Sequence, residues 1–193
     1  KIVFGDGVAL GLPALARELG GPAARVLLVT GGSAERVRGP TMLLESSGLA
    51  IVPFGIRGEP TTDVAQSGVA LAREAACTLV VAIGGGSVID AGKAIAALVT
   101  NTGDPLDYLE VIGRGLPLTV PPLPFIAVPT TSGTGAEVTK NAVLADPVSR
   151  VKVSLRSDAM LPRVALVDPE LTWSMPPAVT ASTGMDALTQ VIE

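Results

Sequence analysis

Short apolar runs alternate along the first half of the chain with longer stretches of mixed polarity. The predicted strands are Arg25–Thr30, Leu49–Val52 and Thr78–Ile83. Helices are predicted between them, near 34–47 and 63–76, and after the third strand as far as about Val99. Strands that alternate with helices of this length are typical of βαβ units in a parallel sheet.

The second half keeps the apolar runs but adds many turn residues. Residues 103–124 are rich in Pro and Gly, yet apolar side chains such as Leu109 and Ile112 predict an ordered connection. Further strands are predicted at Phe125–Val128, Arg150–Leu155 and Val164–Val167. A last helix is predicted from Ala178. Because it has no Gly or Pro stop, and the chain begins without Met, we expect a fragment. The predicted fold class is α/β, with an open, mostly parallel, Rossmann-like sheet flanked by helices.

Composition and charge narrow the class of partner. The formal net charge is -4 and no run of Lys and Arg occurs, so neither a nucleic acid nor an anionic membrane surface is an expected partner. No apolar stretch approaches the roughly 18 residues that span a bilayer. The single cysteine, Cys77, rules out an internal disulfide and is predicted to be a buried structural thiol. A reducing, cytoplasmic location is therefore expected.

The third predicted strand runs into Gly84-Gly85-Gly86-Ser87 and then into a helix. Glycines let the backbone approach an anion closely, and the first turn of a helix offers unpaired N–H groups to it. The alternative is a tight turn in which Ser87 merely caps the helix. Because a buried strand precedes the loop, the phosphate-binding interpretation is favoured, although the motif is not the usual G-x-G-x-x-G.

A second polar loop, 129–137, reads PTTSGTGAE and follows the predicted strand that ends at Val128. In an open parallel sheet, that position faces the ligand crevice. Its hydroxyls are suited to hydrogen bonding with phosphate, ribose or nicotinamide. The competing interpretation is a solvated loop that caps a helix. Farther on, Asp186 and Gln190 lie four residues apart on one helix face, where a carboxylate and an amide oxygen could share a cation.

Taken together, these segments resemble the iron-containing (group III) alcohol dehydrogenase family. The markers are GGGSVID at 84–90, PTTSGTGAEVT at 129–139, and the later DP, MPP and TGMDALT segments, all in the family's order. The resemblance implies an NAD(P)-binding α/β domain over 1–177, followed by the first helix of an all-helical domain at 178–193. It also implies a cytoplasmic homodimer that transfers a hydride between NAD(P) and a small alcohol or aldehyde, assisted by iron or zinc.

The resemblance also implies roles for individual residues in binding the cofactor. Gly85, Gly86, Ser87 and Asp90 would hold the pyrophosphate, and Thr130, Thr131 and Thr134 would line the ribose and nicotinamide. Asn141 and Lys152 would also reach the cofactor, and Leu171 would pack near the adenine. Many NAD-using members have an Asp where Gly31 stands, ahead of Gly32 and Ser33. Without that carboxylate, NADP or use of both cofactors is favoured, with Ser33 as a donor to the 2′-phosphate.

The metal site departs from the family pattern, which uses one Asp and three His. Asp186 is present, but Gln190 stands where the first His belongs, and the chain contains no His. Gln190 could be a weak ligand or could hold a water, or the enzyme could work without metal. Two alternatives within the superfamily remain, a maleylacetate reductase-like and a dehydroquinate synthase-like enzyme. A non-catalytic nucleotide-binding module is the third.

Overall fold

A computed structural model describes residues 1–192, and its centre is a six-stranded sheet in which all neighbouring strands are parallel. The strands are β1 (Ile2–Phe4), β2 (Arg25–Thr30), β3 (Ala50–Gly55), β4 (Leu79–Gly84), β5 (Phe125–Pro129) and β8 (Val164–Val167). Their spatial order is β1-β8-β5-β4-β2-β3. The predicted α/β class with a parallel, Rossmann-like sheet is confirmed.

Helices cover both faces of this sheet. They are α1 (Leu12–Gly20), α2 (Ala34–Ser46), α3 (Thr62–Glu74), α4 (Gly86–Thr100), α5 (Pro105–Tyr108) and α6 (Pro177–Ile192). The buried strand β4 shows the two-sided packing, because successive side chains of a strand point to opposite faces. Val81 joins the core beside α1 and α2, whereas Ala82 joins the core beside α3 and α4. Among residues 1–192, no helix combines the length and apolar character needed to cross a membrane.

The sequence interpretation was wrong at several boundaries. β3 continues past Val52 through Pro53, which an edge strand tolerates because its outer side needs no donor. The strand predicted at Arg150–Leu155 is β7 (Val151–Arg156), and it pairs with an unpredicted strand, β6 (Asn141–Asp146). This antiparallel hairpin stands apart from the main sheet. The short edge strand β1 was also missed.

Two other expectations agree with the structure. Cys77 is buried at the end of the segment after α3, and burial raises the pKa of its thiol. The connection at 103–124 is ordered, because the side-chain oxygen of Asn101 accepts hydrogen bonds from the N–H groups of Thr119 and Val120, at 2.9 and 3.0 Å. Leu109 anchors the same segment in the core.

Candidate functional site

The glycine loop, predicted at Gly84–Ser87, is shorter than expected, because α4 already begins at Gly86. Gly85 is the N-cap residue, and its carbonyl oxygen accepts hydrogen bonds from the N–H groups of Val88 and Ile89, at 3.0 and 3.1 Å. Gly85 has no side chain to cap the helix, so the N–H groups of Gly86 and Ser87 have no partner within α4. The helix dipole adds partial positive charge at this point. The arrangement is suited to an anion.

The second polar loop, residues 129–137, is called the threonine loop below. It lies directly beside the start of α4, because β5 and β4 are neighbours in the sheet. The N–H of Thr130 donates to the carbonyl oxygen of Gly84 at 2.9 Å. A Cβ atom on Gly85 would lie 3.3 Å from the Thr131 hydroxyl oxygen, and one on Gly86 would lie 3.2 Å from that of Thr134. The two loops are in close contact, and side chains at 85 and 86 would fill the cradle between them.

An open cleft of about 290 Å³ extends from this contact towards the β6–β7 hairpin. Its lining residues are Gly86, Ser87, Asp90, Thr134, Ala136, Thr139, Asn141 and Val143. Five of them were predicted as cofactor contacts. The structure therefore brings the centre of the predicted site together in one cleft at the carboxyl edge of the sheet.

The loop after β2 borders the same region. A Cβ on Gly31 would lie 3.3 Å from a methyl group of Val88, in the first turn of α4. Ser33 is the N-cap residue of α2, but its hydroxyl makes no capping hydrogen bond.

Two predicted contacts lie apart from the cleft. The Lys152 ammonium forms an exposed ion pair with Glu59, at 3.1 Å between Nζ and Oε2. Leu171 lines a separate, mainly apolar cavity of about 570 Å³ together with Pro40 and Leu43 of α2. Their roles as cofactor contacts stay predictions.

Lys93 is the residue that sequence reasoning missed. Its side chain is fully buried beneath the cleft. Its Nζ donates to the carbonyl oxygens of Ala136 (2.9 Å) and Asn141 and to the Thr139 hydroxyl (3.1 Å), and it lies 3.1 Å from an Asp90 carboxylate oxygen. One ammonium group thus ties α4 to the threonine loop and to β6.

Asp90 completes this buried cluster. Its second carboxylate oxygen accepts a hydrogen bond from the N–H of Val143 at 3.2 Å, which attaches α4 to β6 a second time. Burial raises the pKa of Asp90 and lowers the pKa of Lys93, because desolvation disfavours both charged forms. Their mutual attraction acts in the opposite direction on each group. A Lys on an otherwise apolar helix face, three residues after an Asp, is the sequence signal that could have revealed the pair.

Helix α6 touches the threonine loop at Gly133. A Cβ there would overlap the Thr183 carbonyl oxygen, and the φ of 143° also favours glycine. The Gln190 amide donates to the Gly133 carbonyl oxygen at 2.8 Å and to Asp186 at 3.3 Å. In this orientation the NH₂ group of Gln190, and not its amide oxygen, faces Asp186. No cluster of three His, Cys, Asp or Glu side chains occurs within 1–192, so these residues alone do not fit iron or zinc. A metal role for Asp186 and Gln190 stays a prediction.

The parallel sheet and the glycine turn at its carboxyl edge define a Rossmann-like domain of the nucleotide-binding class. A family profile described as iron-containing alcohol dehydrogenase matches residues 1–169. The chain belongs to the iron-containing alcohol dehydrogenase family.

Individual relatives agree with this assignment. The chain is 50% identical over 136 residues to the probable alcohol dehydrogenase EutG of Salmonella typhimurium, covering 70% of this chain and 33% of that protein. It is 40% identical over 168 residues to long-chain-alcohol dehydrogenase 1 of Geobacillus thermodenitrificans, covering 86% and 41%. The sulfoacetaldehyde reductase of Bifidobacterium kashiwanohense, solved with NAD+, superposes with a TM-score of 0.91 at 36% identity, covering 100% and 50%. The chain thus spans between a third and a half of these relatives.

Proposed function

We propose that this chain is the dinucleotide-binding part of an oxidoreductase that transfers a hydride between NAD(P) and a small alcohol or aldehyde. The observation that carries the proposal is the meeting of Gly85 and Gly86 with Thr131 and Thr134, which leaves a cradle at the N-terminus of α4. The relatives whose names include alcohol dehydrogenases support the substrate class. The maleylacetate reductase-like and dehydroquinate synthase-like alternatives are not favoured by these comparisons.

Each polar group in the cleft has a proposed role in binding or orienting the cofactor. The N–H groups of Gly86 and Ser87 would bind the pyrophosphate, whose charge the helix dipole stabilises. The threonine hydroxyls and Asn141 would orient the ribose and the nicotinamide over the carboxyl end of β5. The bound cofactor would supply the hydride acceptor or donor. Lys93 and Asp90 would hold the threonine loop and α4 in register without contacting the nicotinamide.

Several finer statements belong to the same proposal. The absence of a carboxylate at Gly31 supports NADP, or both cofactors. The open edge of β1, with Ile2 and Phe4 exposed, supports a homodimer. The single buried thiol supports the cytoplasm. A domain boundary after 177 is supported by α6, which has no buried residue within 177–192.

The activity test uses the full-length protein. We expect it to oxidise small primary alcohols, and to reduce the matching aldehydes, with a change in nicotinamide absorbance. Calorimetry should show one dinucleotide per chain. A folded protein that binds neither NAD+ nor NADP+ would disprove the proposal. Binding without turnover of any alcohol or aldehyde would instead favour the nucleotide-binding module.

The residue at position 190 decides whether this chain offers one metal ligand or two. We propose that Gln190 holds the threonine loop through Gly133 and is not a ligand, so that Asp186 is this chain's contribution to any iron or zinc site. Replacing Gln190 with Ala should leave the metal content of the full-length protein unchanged. Gln190→His should raise it, because imidazole is a better ligand for both ions than a neutral amide. Metal lost on Gln190→Ala, measured by elemental analysis, would contradict this assignment.

A further inference from the structure

The loop that leaves β2 has an arginine beside it that the site described above does not use. Arg57 follows β3, the neighbour of β2 in the sheet. The N–H of Ile56 donates to the Thr30 carbonyl oxygen at 2.9 Å, which fixes the chain just before Arg57 against the end of β2. A Cβ on Gly32 would lie 3.9 Å from Cγ of Arg57. The guanidinium lies two bonds or more beyond that atom, so it can reach the space over Gly31 and Gly32.

The charge of Arg57 is not neutralised within the described part of the chain. Among residues 1–192, Arg57 makes no ion pair within 4.0 Å, and its side chain makes no hydrogen bond. The nearest acidic residue in sequence, Glu59, is paired with Lys152 at 3.1 Å. Gly31 and Gly32 contribute no carboxylate, and the Ser33 hydroxyl is not engaged in capping α2. The loop 31–33 therefore lies beside a guanidinium that is unpaired within residues 1–192 and contributes no carboxylate, while Arg38 and Glu45 of α2 line the pocket next to it.

The order of the strands relates this loop to the proposed cofactor. The carboxyl ends follow one another as β5, β4, β2 and β3. If the nicotinamide half lies at the threonine loop after β5 and the pyrophosphate lies at α4 after β4, the adenosine ribose comes next, over the end of β2. At this position of Rossmann-like domains, an acidic residue binds the ribose 2′-hydroxyl of NAD, whereas a nearby Arg accommodates the 2′-phosphate of NADP.

We propose that Arg57 is a specificity-determining residue that binds the 2′-phosphate of NADP, with the Ser33 hydroxyl as a second donor. A guanidinium is suited to this role because its planar set of N–H donors matches two phosphate oxygens at once. The glycines at 31 and 32 leave room for the phosphate and add no negative charge. This inference rests on the proposed dinucleotide site, and it names the form of the cofactor that the site selects.

The test measures the binding of NADP+ and NAD+ to the full-length protein and to its variants by calorimetry. Arg57→Ala should weaken NADP+ binding by about 10- to 100-fold, the range expected for a lost hydrogen bond to a charged group. NAD+ binding should change by about twofold or less, because NAD+ has no group at that position. Arg57→Lys should restore part of the NADP+ affinity, because an ammonium keeps the charge but not the paired donors.

Two further variants test the inference from other directions. Gly32→Asp introduces a carboxylate beside Arg57, at a place where the new Cβ makes only ordinary contact. It should weaken NADP+ binding as strongly as Arg57→Ala, and NAD+ binding should be kept. Arg163→Ala is the matched control, because it removes the same charge just before β8, which lies beside the opposite edge strand β1. Neither affinity should change in that control.

The outcomes separate this inference from the proposed function. Equal weakening of both cofactors by Arg57→Ala, or no weakening of NADP+, would overturn the role of Arg57 while leaving the dinucleotide site in place. Unchanged NADP+ binding in Gly32→Asp would overturn it as well, even if Arg57→Ala failed to fold. Failure of the wild type to bind either cofactor would overturn the proposed function and this inference together.

Discussion

Replacing Lys93 with methionine is expected to lower the free energy of unfolding by about 3–5 kcal/mol, the cost of breaking a buried ion pair from one side. Methionine fills nearly the same space but donates no hydrogen bond. The carboxylate of Asp90 would be left without its ion-pair partner, and the carbonyl oxygens of Ala136 and Asn141 would lose a donor. Urea unfolding followed by circular dichroism measures the change.

A paired variant separates the charge from the packing. Asp90→Asn in the Lys93→Met background removes the stranded carboxylate, and its amide oxygen can still accept from the N–H of Val143. The double variant should be more stable than Lys93→Met alone. If Lys93→Met lost less than about 1 kcal/mol, the ammonium would not be the link that we describe, since even one unpaired buried polar group costs about that much.

Replacing Gly86 with valine is expected to reduce dinucleotide affinity by at least about 100-fold, which corresponds to about 2.7 kcal/mol. The new Cβ would lie 3.2 Å from the Thr134 hydroxyl, and its two methyl groups would stand where the cradle is open. They would also cover the N–H groups at the start of α4. Calorimetric titration with NAD+ and NADP+ measures the loss.

The matched control is Gly11→Val, which places the same side chain at the N-cap position of α1, away from the proposed cofactor contacts. A Cβ there meets no atom within 4 Å, and its backbone φ is not positive. That variant should bind both cofactors as the wild type does. Wild-type affinity in Gly86→Val would show that the anion does not bind at this helix terminus.

The glycine turn could be predicted because its signal is local. A buried strand, three glycines and a helix follow each other within a dozen or so residues, and the structure places the first turn of α4 only slightly earlier than expected. The meeting of this turn with the threonine loop also followed from a general property of parallel sheets, whose carboxyl ends share one edge.

The role of Lys93 could not be predicted in the same way, because its partners are 43, 46 and 48 residues away along the chain. Nothing in the residues near Lys93 indicates that Ala136 and Asn141 will present their carbonyl oxygens to it. The β6–β7 hairpin was half missed for a related reason. β6 is a short segment with few bulky side chains that ends in Asp. It is extended because it pairs with β7, a contact that its own residues do not reveal.

The position of β1 has a consequence for the order in which the chain acquires its structure. Ile2 pairs with Ala165, and the main-chain nitrogen of Lys1 donates to the carbonyl oxygen of Arg163, 162 residues away. During synthesis β1 is made before β8, yet its place in the sheet does not exist until β8 has been made. Contacts this distant in sequence carry a large loop-closure cost and form late. β1 is therefore expected to dock late, after β2, β4 and β5 have assembled the core.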